Sequence, residues 1–211
     1  MDALARKPMQ QRSRATLEKL LAAGVELLRE RGYEGLSIAD VSARAGVSVG
    51  SIYQRFDGKE ALFTALQERI LQTLDAEQTD MFTDIDRSLP DERLVSEAIG
   101  RLAALFRRHE PLLRVMILRG AVDEATRQRG SRSSVVLAQS FETFLLSSIR
   151  AFGHERPEIA ADVCFRIVYA TLTRRIMSGP RFESGADISW EMLVAEVARA
   201  CSAYLLGLKA G

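Results

Sequence analysis

Apolar residues recur in this chain at intervals of three and four, and no segment of convincing length alternates with a period of two. That spacing gathers apolar side chains on one face of a helix, so an all-α fold of about nine helices is expected, without strands. The first stripe, over residues 16–31, is Leu17, Leu20, Leu21, Val25 and Leu28, with Ala22, Ala23 and Gly24 as small neighbours and a stop at Gly32. A short second helix over residues 36–45 carries Ile38, Val41 and Ala45. Ser37 precedes it with Asp40 three residues on, a carboxylate form of the capping box that satisfies orphan backbone donors. After a turn at Gly46, Ser48 is placed to cap a third helix over residues 49–56. Asp57 and Glu60 repeat the capping logic and launch a fourth helix, through about Leu74.

Beyond Leu74 the chain turns polar through Asp75, Glu77, Asp80, Asp84 and Asp86, which predicts a loop or a frayed helix end up to Pro90. Helical spacing returns over residues 94–108, and Pro111 starts a short helix with Leu112, Leu113, Val115, Met116 and Ile117. Residues 123–134 are polar and include Gly130, so an exposed, mobile segment is expected there. Three long apolar helices follow, over about residues 134–152, 157–178 and 188–208.

Composition changes this picture little. Of 211 residues, 47% are hydrophobic and 27% charged, as in a globular protein with a buried core. Lys plus Arg (29) nearly balances Asp plus Glu (28), so any attraction to nucleic acid must come from local charge. Arg6, Lys7, Arg12, Arg14 and Lys19 supply it near the amino terminus, as a basic arm able to reach phosphates or the minor groove or as a plainly solvated end. No apolar run is long enough to span a membrane and no signal-peptide pattern is present, so a cytoplasmic protein is expected. Cys164 and Cys201 sit in apolar helical patterns and read as reduced packing residues. His109 and His154 lack partners at metal-ligand spacing, and no metal or cofactor is expected.

The chemistry concentrates in residues 46–62. Two short helices joined by a glycine turn form a rigid pair whose second member can enter the DNA major groove. Ile52 and Phe56, four apart, would lock that helix onto Leu28, Ile38 and Val41. Ser48, Ser51, Tyr53, Gln54 and Arg55 are left for its other faces, and Gly50 would let the backbone approach the duplex. Gln54 suits adenine, Arg55 guanine or phosphate, and the three hydroxyls phosphate oxygens, with Lys59 at the positive end of the next helix and Ser37 as further candidates.

The run from Ala45 to Leu62, with its Ala-Gly-Val-Ser turn, Gly50, Tyr53, Phe56 and Lys59-Glu60, resembles the tetracycline-repressor (TetR) family of bacterial transcription regulators. Leu21-Ala22-Ala23, Gly32-Tyr33 and Ile38-Ala39-Asp40-Val41 fit its first two helices, so the likeness covers about residues 12–66. The chain departs at Arg55, where the family often has His, and at Ser42, where it often has Ala. The resemblance implies an amino-terminal helix-turn-helix domain (residues 1–57) that reads double-stranded operator DNA. It also implies a helical carboxy-terminal domain (58–211) that binds a small-molecule effector, and a homodimer whose last two long helices make an intersubunit four-helix bundle.

Those last two helices are apolar on more than one face, as suits a symmetric interface through Phe165, Leu172, Trp190, Val194, Val197, Cys201 and Tyr204. Arg166 within this stretch needs an acceptor: an effector acid, an intersubunit carboxylate or solvent at the rim. Phe106, Met116, Phe141, Phe144 and Tyr169, with His109 and Arg166, are the candidates for an effector pocket, although at helical spacing the aromatic residues also read as plain core. The function that fits is a ligand-responsive repressor; the alternative keeps DNA binding but gives the carboxy-terminal domain a protein partner. No phosphate loop, metal cluster or nucleophile with a nearby His suggests an enzyme.

Overall fold

Nine α-helices and no strand are found among the described residues, which in this computed structural model are 3–181 and 185–207, with side chains from Ser13 onward. Helices α1 (Ala3–Arg31), α2 (Ile38–Ala45) and α3 (Val49–Tyr53) bury Leu20, Leu28, Val41 and Ile52, with Leu36 and Phe56 from the connecting segments, against Leu62, Phe63 and Leu66 of α4 (Gly58–Thr79). Each such fully buried side chain contributes roughly 1.5–3 kcal/mol, so this small core holds the first three helices as one body. A second core joins α5 (Asp91–Arg108), α7 (Glu124–Ser148), α8 (Pro157–Ser178) and α9 (Trp190–Leu206) through Ile99, Leu102, Phe141, Leu145, Cys164, Val168 and Leu205. Helix α6 (Glu110–Gly120) lies between them, packing on α1, α7 and α8 and giving Leu112 and Met116 to the first core.

Several boundaries differ from those the sequence suggests. Helix α1 begins at Ala3, so the basic segment ahead of residue 16 is itself helical; the side chains of Arg6, Lys7 and Arg12 lie outside the described residues, and Arg14 and Lys19 are exposed. The third helix ends at Tyr53 rather than Phe56, and the last ends at Leu206, with Leu208 outside the described residues. Helix α4 continues to Thr79 because Leu74 and Gln78 on its tail are buried. The acidic stretch after it is anchored by two apolar residues, Phe82 and Ile85, with Phe82 stacked on Phe144 at 5.4 Å between ring centroids.

Residues 124–134 form the first turns of α7 and are not a mobile connection. Asp123 caps them by accepting the Thr126 N–H at 2.6 Å. Their polar character has a packing reason: this face meets polar groups of α4. The Gln67 amide donates to the Thr126 carbonyl at 2.9 Å, and the Ser133 hydroxyl donates to Asp75 at 2.5 Å.

Between α7 and α8 the chain passes Gly153, whose N–H donates to the Leu205 carbonyl at 2.9 Å. A Cβ at that position would lie 2.4 Å from the backbone carbonyl atoms of Leu206. Gly153→Ala is therefore expected to push the end of α9 off the core and cost about 1–3 kcal/mol. Equilibrium denaturation should show a lower midpoint at unchanged slope.

Candidate nucleic-acid interface and cavity

Gly46 closes α2 in the left-handed region (φ +65), and the Ser42 hydroxyl braces the turn by donating to the Val47 carbonyl at 2.5 Å. Extended backbone at Ser48 then opens α3, the Ser48 hydroxyl accepting the Ser51 N–H at 3.3 Å. Ile52 is fully buried and Phe56 nearly so, which fixes the orientation of this one-and-a-half-turn helix. Its outer side presents Ser48, Val49, Gly50, Tyr53, Gln54 and Arg55 to solvent, with Ser51 half-buried and Tyr53 59% exposed. Nothing lies within 4 Å of where a Gly50 side chain would start.

The remaining candidates are partly engaged. Ser37 is half-buried and spends its hydroxyl on the α2 cap, accepting the Asp40 N–H at 3.0 Å and donating to the Asp40 carboxylate at 2.5 Å. The Arg55 guanidinium donates to the Ser13 hydroxyl of α1 at 3.0 Å. A bidentate Arg44–Glu30 pair, 2.8 Å on each arm, ties α2 to α1, and through it Arg44 holds the Glu30 carboxyl below its ordinary range.

The cap expected at Asp57 is not formed: its side chain makes no hydrogen bond to the helix end. Glu60 does not fold back either, because Tyr33 and Arg119 recruit its carboxylate. The Tyr33 hydroxyl donates to one oxygen and Arg119 Nη2 to the other, at 2.9 Å. The Tyr33 ring stands edge-on to Phe63 (4.9 Å) and is flanked by Lys59 Nζ and the Arg119 guanidinium, each 4.4 Å from its centroid. Helical spacing gives no sign of this joint, whose Arg119–Glu60 partners lie 59 residues apart.

A cavity of about 390 Å³ opens between α4, α5, α6, α7 and α8. Phe106, Met116 and Tyr169 line it, with Leu71, Leu74, Leu113 and Ile117 completing an apolar wall. Burial raises the Tyr169 hydroxyl above its usual range against an opposing contact with Ser134. Four other pocket candidates lie elsewhere. Phe141 and Phe144 point into the second core beside Phe82, since their side of α7 is turned away from the cavity. His109 joins α5 to α6, buried, with Nε2 2.9 Å from Glu77. Burial would raise the Glu77 carboxyl, but His109 and Arg108 hold it below the ordinary range. Arg166 is exposed and pairs with Asp162 one turn earlier at 2.8 Å.

Of the interface candidates, Phe165, Leu172, Trp190 and Cys201 are consumed by the core of their own chain, Arg107 lying over the Trp190 ring at 5.5 Å. Contact with Cys201 and burial push the Cys164 thiol up, so it stays protonated. Val194 and Val197 are half-buried and Tyr204 is exposed. The outward apolar residues of α8 and α9 are Ile159, Ile167, Met192 and Tyr204.

Residues 20–66 match the family model of bacterial regulatory proteins, tetR family. The HTH-type transcriptional regulator YvdT of Bacillus subtilis is 33% identical over 87 residues, covering 38% of this chain and 45% of that protein, so the match spans under half of that relative's length. Among solved structures, a transcriptional regulator from Rhodococcus sp. Rha1 superposes with a TM-score of 0.63 at 21% identity, over 90% of this chain and 96% of that one. The Bacillus subtilis regulator FadR in complex with stearoyl-CoA does so with a TM-score of 0.60 at 16% identity, over 91% and 99%. These likenesses show that the helical fold is shared along nearly the whole chain.

Burial, and then the bond to Glu60, push the Tyr33 hydroxyl up from 10.0 to about 12. An unfolded chain loses that proton first, so the contribution of this joint is fully present below pH 10 and is lost as pH rises through about 12. A spectrophotometric titration should show late-ionising tyrosines, as burial also raises Tyr169, and Tyr33→Phe should remove the one that ionises near pH 12.

Proposed function

We propose, because residues 20–66 match the family model of bacterial regulatory proteins, tetR family, that this chain is a member of that family and a cytoplasmic, homodimeric repressor that leaves its operator when a small molecule fills the cavity. In this reading the DNA-binding part is residues 1–57 and the effector and dimer part 58–211, with α4 running from one to the other. The Gly50 backbone enters the major groove, Gln54 and Arg55 approach base edges, and Ser37, Ser48, Ser51, Tyr53 and Lys59 hold phosphates. Two copies paired through the outward side of α8 and α9 would set two α3 helices about 34–36 Å apart, one turn of DNA.

The observation that carries the effector part is the path from cavity to DNA head. Ile117 and Gly120 of α6 line the cavity, and Arg119 between them holds Glu60 and Tyr33 at the start of α4. A ligand that fits one position of α6 better than another therefore biases the seating of α4 and, with it, the spacing of the heads. The largely apolar surface of a recessed cavity favours a small molecule over a protein partner in this role. FadR, a fold neighbour, holds stearoyl-CoA, which agrees with an effector of partly apolar character.

Footprinting and gel shifts against DNA flanking the chain's own gene test the reading. Binding should be selective for sequence and fall steeply with salt. Gly50→Ala should weaken it at least about tenfold without lowering thermal stability, because the added methyl meets nothing within 4 Å in the protein and, in this reading, stands in the way of the duplex. Absence of selective, salt-sensitive binding would sink the proposal. A double-mutant cycle on Arg119→Ala and Glu60→Ala should give non-additive changes in operator affinity of about 0.5 kcal/mol or more, although neither residue lies on α3.

A further inference from the structure

We infer that the cavity selects an uncharged, largely apolar molecule bearing a hydroxyl group, and that Gln78 is the residue that recognises the hydroxyl. This rests on the effector reading above and narrows it to a ligand class.

The polar atoms around the cavity are mostly committed to one another. Gln67 donates to the Thr126 carbonyl at 2.9 Å and accepts from Arg129 Nε at 2.6 Å. The hydroxyl of Ser133 donates to Asp75, that of Ser134 to the Ser131 carbonyl at 2.9 Å, and that of Thr173 to the Tyr169 carbonyl at 2.8 Å. Gln78 breaks the pattern. The residue is 5% exposed, and its Oε1 is buried without a hydrogen-bond partner. Among the described residues Gln78 is the one member of the cavity lining that carries a buried, unpartnered side-chain atom. A buried acceptor left unpaired costs free energy that a ligand donor recovers on binding.

Charge decides what kind of donor. Arg127 is the single charged residue of the lining, and Glu124 already pairs with it. Farther along α7, Arg129 and Arg132 share a neighbouring groove with Glu68 and Asp75, so this end of the helix offers no excess of either sign. An ammonium entering the cavity would be desolvated with no anion of the lining to meet it, and a carboxylate would have to draw the 61% exposed Arg127 away from Glu124. A hydroxyl both donates and accepts, so it pairs with the amide in either orientation. The walls of Leu71, Leu74, Leu113 and Ile117 suit the apolar body, and about 390 Å³ is the size of a small-molecule site. Gln78 also borders a shallower groove with Thr79 and Phe82, which makes it the partition between cavity and surface.

Calorimetric titration of the full chain with 1-octanol, octanoate and octyltrimethylammonium tests the inference. 1-Octanol should bind at least about tenfold tighter than either ion, since each ion loses hydration without gaining a free partner. Gln78→Met, which keeps side-chain volume and removes the acceptor, should weaken octanol binding about five- to tenfold. The Tm of the unliganded protein should hold or rise, because the unpaired oxygen is gone. Met116→Trp, which fills the cavity, should abolish binding of the alcohol. Equal binding of an ion, octanol binding indifferent to Gln78→Met, or a sharp fall in Tm of that variant overturns the inference and leaves the effector reading standing. If none of the three probes binds, both fall.

Discussion

The close crossing of α4 over α1 sets the geometry on which the rest of the molecule depends. Leu66 occupies the space beside Gly24, where a Cβ would sit 2.6 Å from its methyl group. The missing side chain lets the two helices seat deeply enough for Leu62, Phe63 and Leu66 to enter the first core. The same rigid helix then carries Gln67, Leu71, Leu74 and Gln78 past the cavity. Interiors packed at crystal density do not deform smoothly, so α4 moves as a rod if it moves at all.

The dependence explains why the sequence discloses one part of the molecule better than the other. Everything about α3 is local: the Ser48–Ser51 cap is three residues wide and the Ile52–Phe56 anchor four, and both are visible as spacing. Helix α8 is found with the bounds its stripe suggests, because its proline start and apolar run are also local. Spacing misleads where polar residues pack against polar residues, as at the start of α7, and where two apolar residues pin an acidic stretch, as Phe82 and Ile85 do. It is silent where partners are distant. Arg119 and Glu60 come together only when both cores are assembled, and the isolation of the Gln78 oxygen is a property of its surroundings rather than of its neighbours in sequence.

The aromatic candidates show the limit most plainly. Phe106 and Phe141 have the same chemistry and similar helical context, yet one faces the cavity and the other does not. Successive helical residues turn by about 100°, so a single position decides which of two compartments a ring enters. Periodicity identifies a buried face; it cannot say which of two interiors that face serves. The same holds for α8 and α9, where Phe165 and Cys201 point inward while Ile167 and Tyr204, on the same helices, point outward.

The Tyr33 joint differs in material from the cores it connects. Both cores are apolar and indifferent to dissolved ions, whereas the joint is built from a phenol, two cations and a carboxylate whose Glu60 side chain is 65% exposed. Ions at cellular strength screen such contacts over about 8 Å. The stiffness of the connection between the cavity and the first three helices is thus set partly by the solution, while its shape is set by the cores. In osmotic terms, a cell that concentrates its salts would, under the proposed function, loosen two things at once: the grip on phosphate and the linkage through which the cavity would address it.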